Sequence, residues 1–154
     1  MRRGENEIKD RAEIDSIIRR SQVCRLGLSD QGEPYVVPLC FGYDGKALYF
    51  HCAREGRKLD ILRRNNKVCI EFDAVEGMIE AEPGCDWGIR YQSVIGFSNA
   101  HLVEDVIEKK NALSLLMAQY SEQSFSFPSV TVARTAVVKI EIESLAGKQS
   151  RRVT

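Results

Sequence analysis

The sequence predicts a mainly β fold, an antiparallel barrel carrying a few peripheral helices. Three observations carry that prediction. Short apolar runs recur with turn residues between them, two of those turns have hairpin character, and helical spacing of apolar residues is confined to three stretches. The 154 residues, 44% of them hydrophobic, are enough for one cored domain and too few for two ordinary ones. A single domain over residues 1–147, followed by a polar tail over 148–154, is therefore expected.

The first element is a short helix. Asp10 and Glu13 supply an Asp-x-x-Glu start, Ile14, Ile17 and Ile18 recur on one face, and Arg19 and Arg20 suit the negative end of the helix dipole. A strand from Val23 to Ser29 meets the turn Asp30-Gln31-Gly32-Glu33. A second, from Pro34 to Tyr43, meets Asp44-Gly45, a hairpin signal that leads into Ala47 to Cys52. Helical spacing appears from Glu55 to Asn65, with Leu59, Ile61 and Leu62 apolar and Asn65-Asn66 suited to a left-handed stop. Lys67 to Asp73 resumes the sheet, whereas Ala74 to Arg90, which holds Pro83, Gly84 and the only tryptophan, Trp87, shows no clear period. Tyr91 to Val103 is a long strand. Asp105 with Glu108 opens a further helix that sets Leu113, Leu116, Met117 and Tyr120 on one face. A Ser/Phe-rich loop, Ser121 to Ser129, precedes a last strand from Thr135 to Glu143, which gives six or seven strands and three helices in all.

Charge narrows the function. The 22 basic and 22 acidic side chains cancel, so neither nucleic acid nor an anionic membrane surface is expected as a partner. The charged start, Met1 to Asp10, lacks the apolar stretch of a signal peptide, and no segment approaches the roughly 20 apolar residues of a membrane span. A soluble, cytoplasmic protein is expected. The five cysteines, Cys24, Cys40, Cys52, Cys69 and Cys85, are odd in number and form no Cys-x-x-Cys pair, which suits a reducing compartment. The first four lie in apolar runs, where free Cys serves as a small buried hydrophobe, and no metal site is expected.

Gly-x-Ser-x-Gly, His-Glu-x-x-His, the P-loop and a Gly-x-Gly-x-x-Gly after a strand are all missing, so hydrolase, metalloprotease, nucleotide triphosphatase and Rossmann readings lose support. The most informative stretch is His51-Cys52-Ala53-Arg54-Glu55-Gly56-Arg57-Lys58, which runs from a strand through a glycine turn into a basic helix. Free N–H groups at a helix start favour phosphate, and Arg57 and Lys58 add a forked donor and a mobile point charge. From spacing alone a solvated basic surface explains the same residues. Pro38 is a second marker: a proline inside a strand removes a ladder donor and indicates an edge or a bulge, where a ligand can approach the backbone.

Taken in order, several pieces resemble the flavin-binding split β-barrel superfamily of pyridoxamine 5'-phosphate oxidase, and within it the nitroimidazole-resistance branch. They are Val23-Cys24-Arg25-Leu26, the run from Tyr35 to Tyr43, Leu48 to Ala53, Glu55-Gly56-Arg57-Lys58, Asn65 to Val68 and Tyr91 to Gly96. The resemblance implies a Greek-key-like split barrel that works as a homodimer with FMN at the subunit interface. It implies that Val36, Val37, Pro38 and Leu39 present main-chain groups to the isoalloxazine ring. His51, Cys52 and Ala53 would lie near that ring, Arg57 and Lys58 would hold the phosphate, and Tyr91, Gln92 and Ser93 would border the site. It also implies a catalytic role for His51, beside the nitro-compound, as a proton donor. Trp87 would cover the flavin or the neighbouring subunit.

The function expected from the resemblance is FMN-dependent reduction of small electrophiles such as nitroaromatics, with FAD, a deazaflavin or haem as less favoured cofactors. The competing expectation is a non-enzymatic module that holds flavin, or haem through His51, as a sensor or store. The end of the sequence, Gly147 to Thr154, lacks the arginine- and histidine-bearing segment that grips pyridoxal phosphate, which argues against vitamin B6 oxidation.

Overall fold

The computed structural model describes residues 4–150. In chain order its elements are β1 (Glu7–Ile8), α1 (Arg11–Arg20), β2 (Cys24–Asp30), β3 (Glu33–Leu39), β4 (Gly42–Tyr43), β5 (Ala47–Cys52), α2 (Arg57–Arg64), β6 (Lys67–Ile79), β7 (Gly88–Val103), α3 (Val106–Ala118), α4 (Ser129–Arg134) and β8 (Ala136–Gln149). Turn chemistry sets the first hairpin: Gln31 and Gly32 take φ of 54° and 95°, the consecutive left-handed residues a tight β-turn needs, and Asp30 faces Glu33 across it. The strands form one antiparallel sheet in the order β3-β2-β6-β7-β8-β5-β4, with β1 added on β8.

Alternation along each strand decides which face is filled. Leu26, Ile70, Phe72 and Val94 point inward from β2, β6 and β7, and they share one core with Phe41, Tyr43, Leu48 and Phe50 from the opposite end of the strand order. Sharing a core forces the sheet to curl. The Phe41 and Phe72 rings meet edge-on with centroids 5.0 Å apart, yet β3 and β5 make no ladder, so the barrel is split between its two ends. Helix α1 adds Ile14, Ile17 and Ile18 to this core, and α2 adds Leu59, Ile61 and Leu62. A smaller cluster on the other face of the sheet, Ala47, Tyr49, Val103, Ala112 and Val137, is covered by α3.

Several expectations need correction. The run Pro34 to Tyr43 is broken at Cys40-Phe41, because Phe41 turns into the core and its N–H donates to the Tyr120 hydroxyl at 3.0 Å. Asn65 is extended (φ −144°), and its side chain instead ties α2 to β2 by donating to the Ser29 carbonyl and accepting from the Lys67 N–H. The stretch 74–90 is mostly strand, since β6 runs to Ile79 and β7 starts at Gly88. The last strand runs on through Lys148 and Gln149, which pair with β1 and β7, so those two residues belong to the barrel and not to a tail; residues 151–154 lie outside the described part. Helix α4 starts at the end of the expected loop, and α3 buries Lys109, Ala112 and Leu116, with Leu113 and Met117 half-buried. Cys24 is buried and Cys52 and Cys69 are half-buried, but Cys40, on the outward parity of β3, is exposed.

The tightest approach in the fold is at Gly42, where a Cβ would lie 2.5 Å from the Leu116 nitrogen and 2.6 Å from the Leu115 carbonyl carbon. Both obstacles are backbone, so α3 cannot make room without moving as a unit. Gly42→Ala should cost about 1–3 kcal/mol of stability by overpacking, read as a lower urea midpoint. Gly84→Ala, where nothing lies within 4 Å, should stay within about 0.5 kcal/mol of the parent.

Candidate functional site

The start of α2 spans the split. Gly56 precedes it with no side-chain cap, so the first N–H groups of the helix have no side-chain acceptor. The Arg57 guanidinium lies 4.6 Å from the centroid of the Tyr35 ring on β3, with its Nη2 3.6 Å from Glu33 Oε1. Lys58 Nζ lies 5.1 Å from the Phe50 ring centroid on β5. Two cations and a set of free helix N–H groups thus stand between the two ends of the sheet. A phosphate matches that donor set in charge and in hydrogen-bond demand.

Strand β3 is the terminal strand of the sheet, so Pro38 sits at an edge. Its odd residues, Tyr35, Val37 and Leu39, pack toward the core, while Val36, 62% exposed, and Pro38 point outward. The expected ring-facing residues therefore divide between two faces. Pro38 stands in register with Arg25, Glu71 and Ile95, and Val36 with Gly27, Cys69 and Phe97, which is also 62% exposed. Arg25 donates to Glu71 at 3.2 Å and to Asp73, whose charge holds its guanidinium above the usual range. Partial burial pushes the Glu71 carboxyl up.

Ser93 lies on this same outer face opposite Asp73, and Tyr91 two residues away donates its N–H to Ser150 Oγ at 3.1 Å. Gln92 has a different job. Its Oε1 accepts from Arg20 at 2.8 Å and its Nε2 donates to Glu13 at 2.9 Å, which ties α1 to β7.

His51 is exposed at the end of β5, paired with Val137, and strand alternation sets it on the opposite face from Phe50 and hence from the ring beneath Lys58. Cys52 returns to the inner side, and burial pushes its thiol up, as it does those of Cys69 and Cys24, the last to about 12. These thiols are poor nucleophiles at neutral pH. Ala53 and Arg54 are exposed in the turn, where Arg54 donates to the Ala133 carbonyl at 3.4 Å. His101 lies elsewhere, in a cleft of about 280 Å³ at the far end of α2 that Arg63, Arg64 and Asn66 also line. Among the described residues no group of three or more His, Cys, Asp and Glu side chains could hold a metal ion. Among the described residues no helix is long and apolar enough to cross a membrane.

Tyr35 and Glu33, which orient Arg57, were not singled out in the sequence. Their signal was present, since Tyr35 shares the inward parity of Val37 and Leu39, but which helix would face that row cannot be read from spacing.

Comparison with known proteins agrees with this fold. Residues 10–149 match the family described as Pyridoxamine 5'-phosphate oxidase. A Bacteroides thetaiotaomicron protein named for 5-nitroimidazole antibiotic resistance is 35% identical, with 93% of this chain and 86% of that one covered and a TM-score of 0.84. The FAD and haem binding protein of Mycobacterium smegmatis (19% identity, 96% and 74% covered, TM-score 0.85) and the flavocytochrome Anf3 of Azotobacter vinelandii (20%, 96% and 71%, 0.84) share the fold. An uncharacterised Rhizobium meliloti protein is 28% identical over 65 residues, which is 42% of either chain. With its split antiparallel barrel and a family match over nearly its whole length, the chain belongs to the pyridoxamine 5'-phosphate oxidase-like family of flavin-binding split barrels.

Proposed function

We propose that the protein is an FMN-dependent reductase of small electrophiles such as nitroaromatics, working as a two-fold homodimer in the cytoplasm. The observation that carries this reading is the uncapped start of α2, with Arg57 and Lys58 held over Tyr35 and Phe50 between β3 and the end of β5. The bound flavin would supply hydride and electron transfer. The chain's own part is positional. Arg57, Lys58 and the free N–H groups of α2 fix the phosphate, and the edge of β3 at Val36 to Leu39 offers backbone groups to the ring. His51 can hand a proton to a reduced oxygen at the outer face of β5.

The outer face of the sheet supports the dimer. Val36, Ile95 and Phe97 expose apolar surface around Arg25, Glu71 and Asp73, and an apolar face of this kind suits a second copy. The 35% identical relative, named for 5-nitroimidazole resistance, supports the choice of electrophile. A second reading, a flavin or haem module without catalysis, rests on the exposed His51, which offers an axial nitrogen. The absorbance of purified protein separates them: a two-banded flavin spectrum bleached by a nicotinamide donor supports the reductase, and an intense Soret band supports the haem module.

Replacing Arg57 and Lys58 together by Ala should weaken FMN binding by a few kcal/mol, since each charge-assisted hydrogen bond to a phosphate contributes about 1.5–3 kcal/mol. Unchanged FMN retention on gel filtration would remove the phosphate assignment. His51→Ala should keep the flavin and slow nitro-compound turnover by about 10²–10⁴-fold, the usual loss with a general acid. Full turnover would reduce His51 to a structural residue. Sedimentation at micromolar concentration should show a dimer, and a flavin-loaded monomer would sink that part of the proposal.

A further inference from the structure

Strands β6 and β7 outrun the rest of the barrel. Strand β2 pairs with β6 only from Cys69 to Glu71, and β8 reaches β7 no further than Gln92. Beyond these points, apart from the hydrogen bonds that Tyr91 exchanges with Ser150, β6 and β7 pair only with each other, up to Ile79 and Gly88, in a two-stranded ribbon with a bulge between Val75 and Gly77. No side chain between Asp73 and Gln92 is buried. A lone two-stranded ribbon is marginally stable in water, and this one holds out Val75 at 63%, Met78 at 57% and Trp87 at 51% exposure. The Trp87 indole N–H donates to the Ala81 carbonyl at 2.6 Å, which fixes the ring on the ribbon with half its surface open.

Charge says what covers it. Residues 74–90 carry four carboxylates, Glu76, Glu80, Glu82 and Asp86, against one base, Arg90. Residues 54–67, the turn and helix that carry the phosphate site, have six bases against two acids. An acidic, apolar-faced ribbon and a basic helix start on the same chain are complementary between two copies. Between Val75 and Ile89 the ribbon pairs with no other strand of its own barrel, so its apolar side chains are open to a neighbour.

We propose that the ribbon from Val75 to Ile89 is an arm that closes over the flavin site of a second copy of the chain, setting Trp87 against the bound ring. The arm rests on the flavin-binding reading above and adds to it the residue that shields the site, supplied by the other protomer. In this arrangement the apolar side chains of the arm exclude water from the ring, and its carboxylates lie near basic groups of the partner's α2 region that the phosphate leaves free.

The test uses FMN itself as the probe, because blue light excites flavin and not tryptophan, and a tryptophan in contact with the ring quenches its emission. Trp87 is the only tryptophan, so the signal has one source. Wild-type protein should hold FMN in a dark state, and Trp87→Phe should bind FMN with several-fold brighter emission. Mixed dimers are then made from a Trp87→Phe chain, which keeps the phosphate anchor, and an Arg57→Ala/Lys58→Ala chain, which keeps Trp87. Emission quenched to the wild-type level places Trp87 across the dimer. Emission as bright as that of the Trp87→Phe homodimer overturns the arm while leaving flavin binding intact, and so does a Trp87→Phe homodimer no brighter than wild type. Failure of wild-type protein to bind FMN overturns the flavin reading and the arm with it.

Discussion

A curled sheet whose two ends do not hydrogen-bond has to be held shut by side chains, and here the first turn of α2 takes that part. Arg57 lies over Tyr35 of β3 and Lys58 over Phe50 of β5, so one short helix grips both ends. Each cation–ring contact contributes about 0.5–1 kcal/mol where exposed, small beside the shared core of Phe41, Phe72 and Leu26. The core supplies the energy of closure, and α2 bridges the gap between β3 and β5. Because Arg57 stays about half open to solvent, Lys58 is only partly buried and Glu33 is a distant, exposed partner, their charge remains free to meet an anion. The residues that bridge the two sides of the split are therefore the same ones that the proposed function assigns to the phosphate.

Strand parity adds a second constraint. Residues of β3, β7 and β5 that face outward, Val36, Pro38, Ser93 and His51, lie on the outer face of the barrel, while Val37, Leu39 and Cys52 complete its interior. A ligand that touches the outward set has no interior cavity to enter. It has to lie on the surface and be covered from outside. The exposed Ile95 and Phe97 beside that set give the same message in apolar form.

Much of the fold was legible in the sequence because its signals are local. Asp10 caps α1 by accepting from the Ala12 N–H, Asp105 caps α3 by accepting from the Glu108 N–H, and the turns at Gln31-Gly32 and Asp44-Gly45 fall where their residues require. The strand Ala47–Cys52 has the ends its composition suggested. What was hidden depends on contacts distant in sequence. Phe41 interrupts a run of good strand formers because Tyr120 and Phe72 wait for it, and Lys148 and Gln149 look like a tail until β1 and β7 claim them. For the site, the basic pair Arg57-Lys58 announced itself, whereas its ring partners and the tie of Gln92 to α1 arise only from packing.

Strand order has a consequence for synthesis. Strand β8 lies between β7 and β5 in the sheet, yet it comes last in chain order among the described strands. Strands β2, β3, β6 and β7 can pair as soon as they leave the ribosome, but Ala47–Cys52 has no long partner until Ala136 and its successors emerge. At ordinary translation speed that interval is on the order of ten seconds. During it a strand of Ala-Leu-Tyr-Phe is paired only with the two residues of β4 beside a half-built barrel, and such a segment invites association with other nascent chains. Cellular yield of this protein should therefore depend on how fast the ribosome finishes, and on whichever chaperone holds β5 while it waits, more than on the equilibrium stability of the finished sheet.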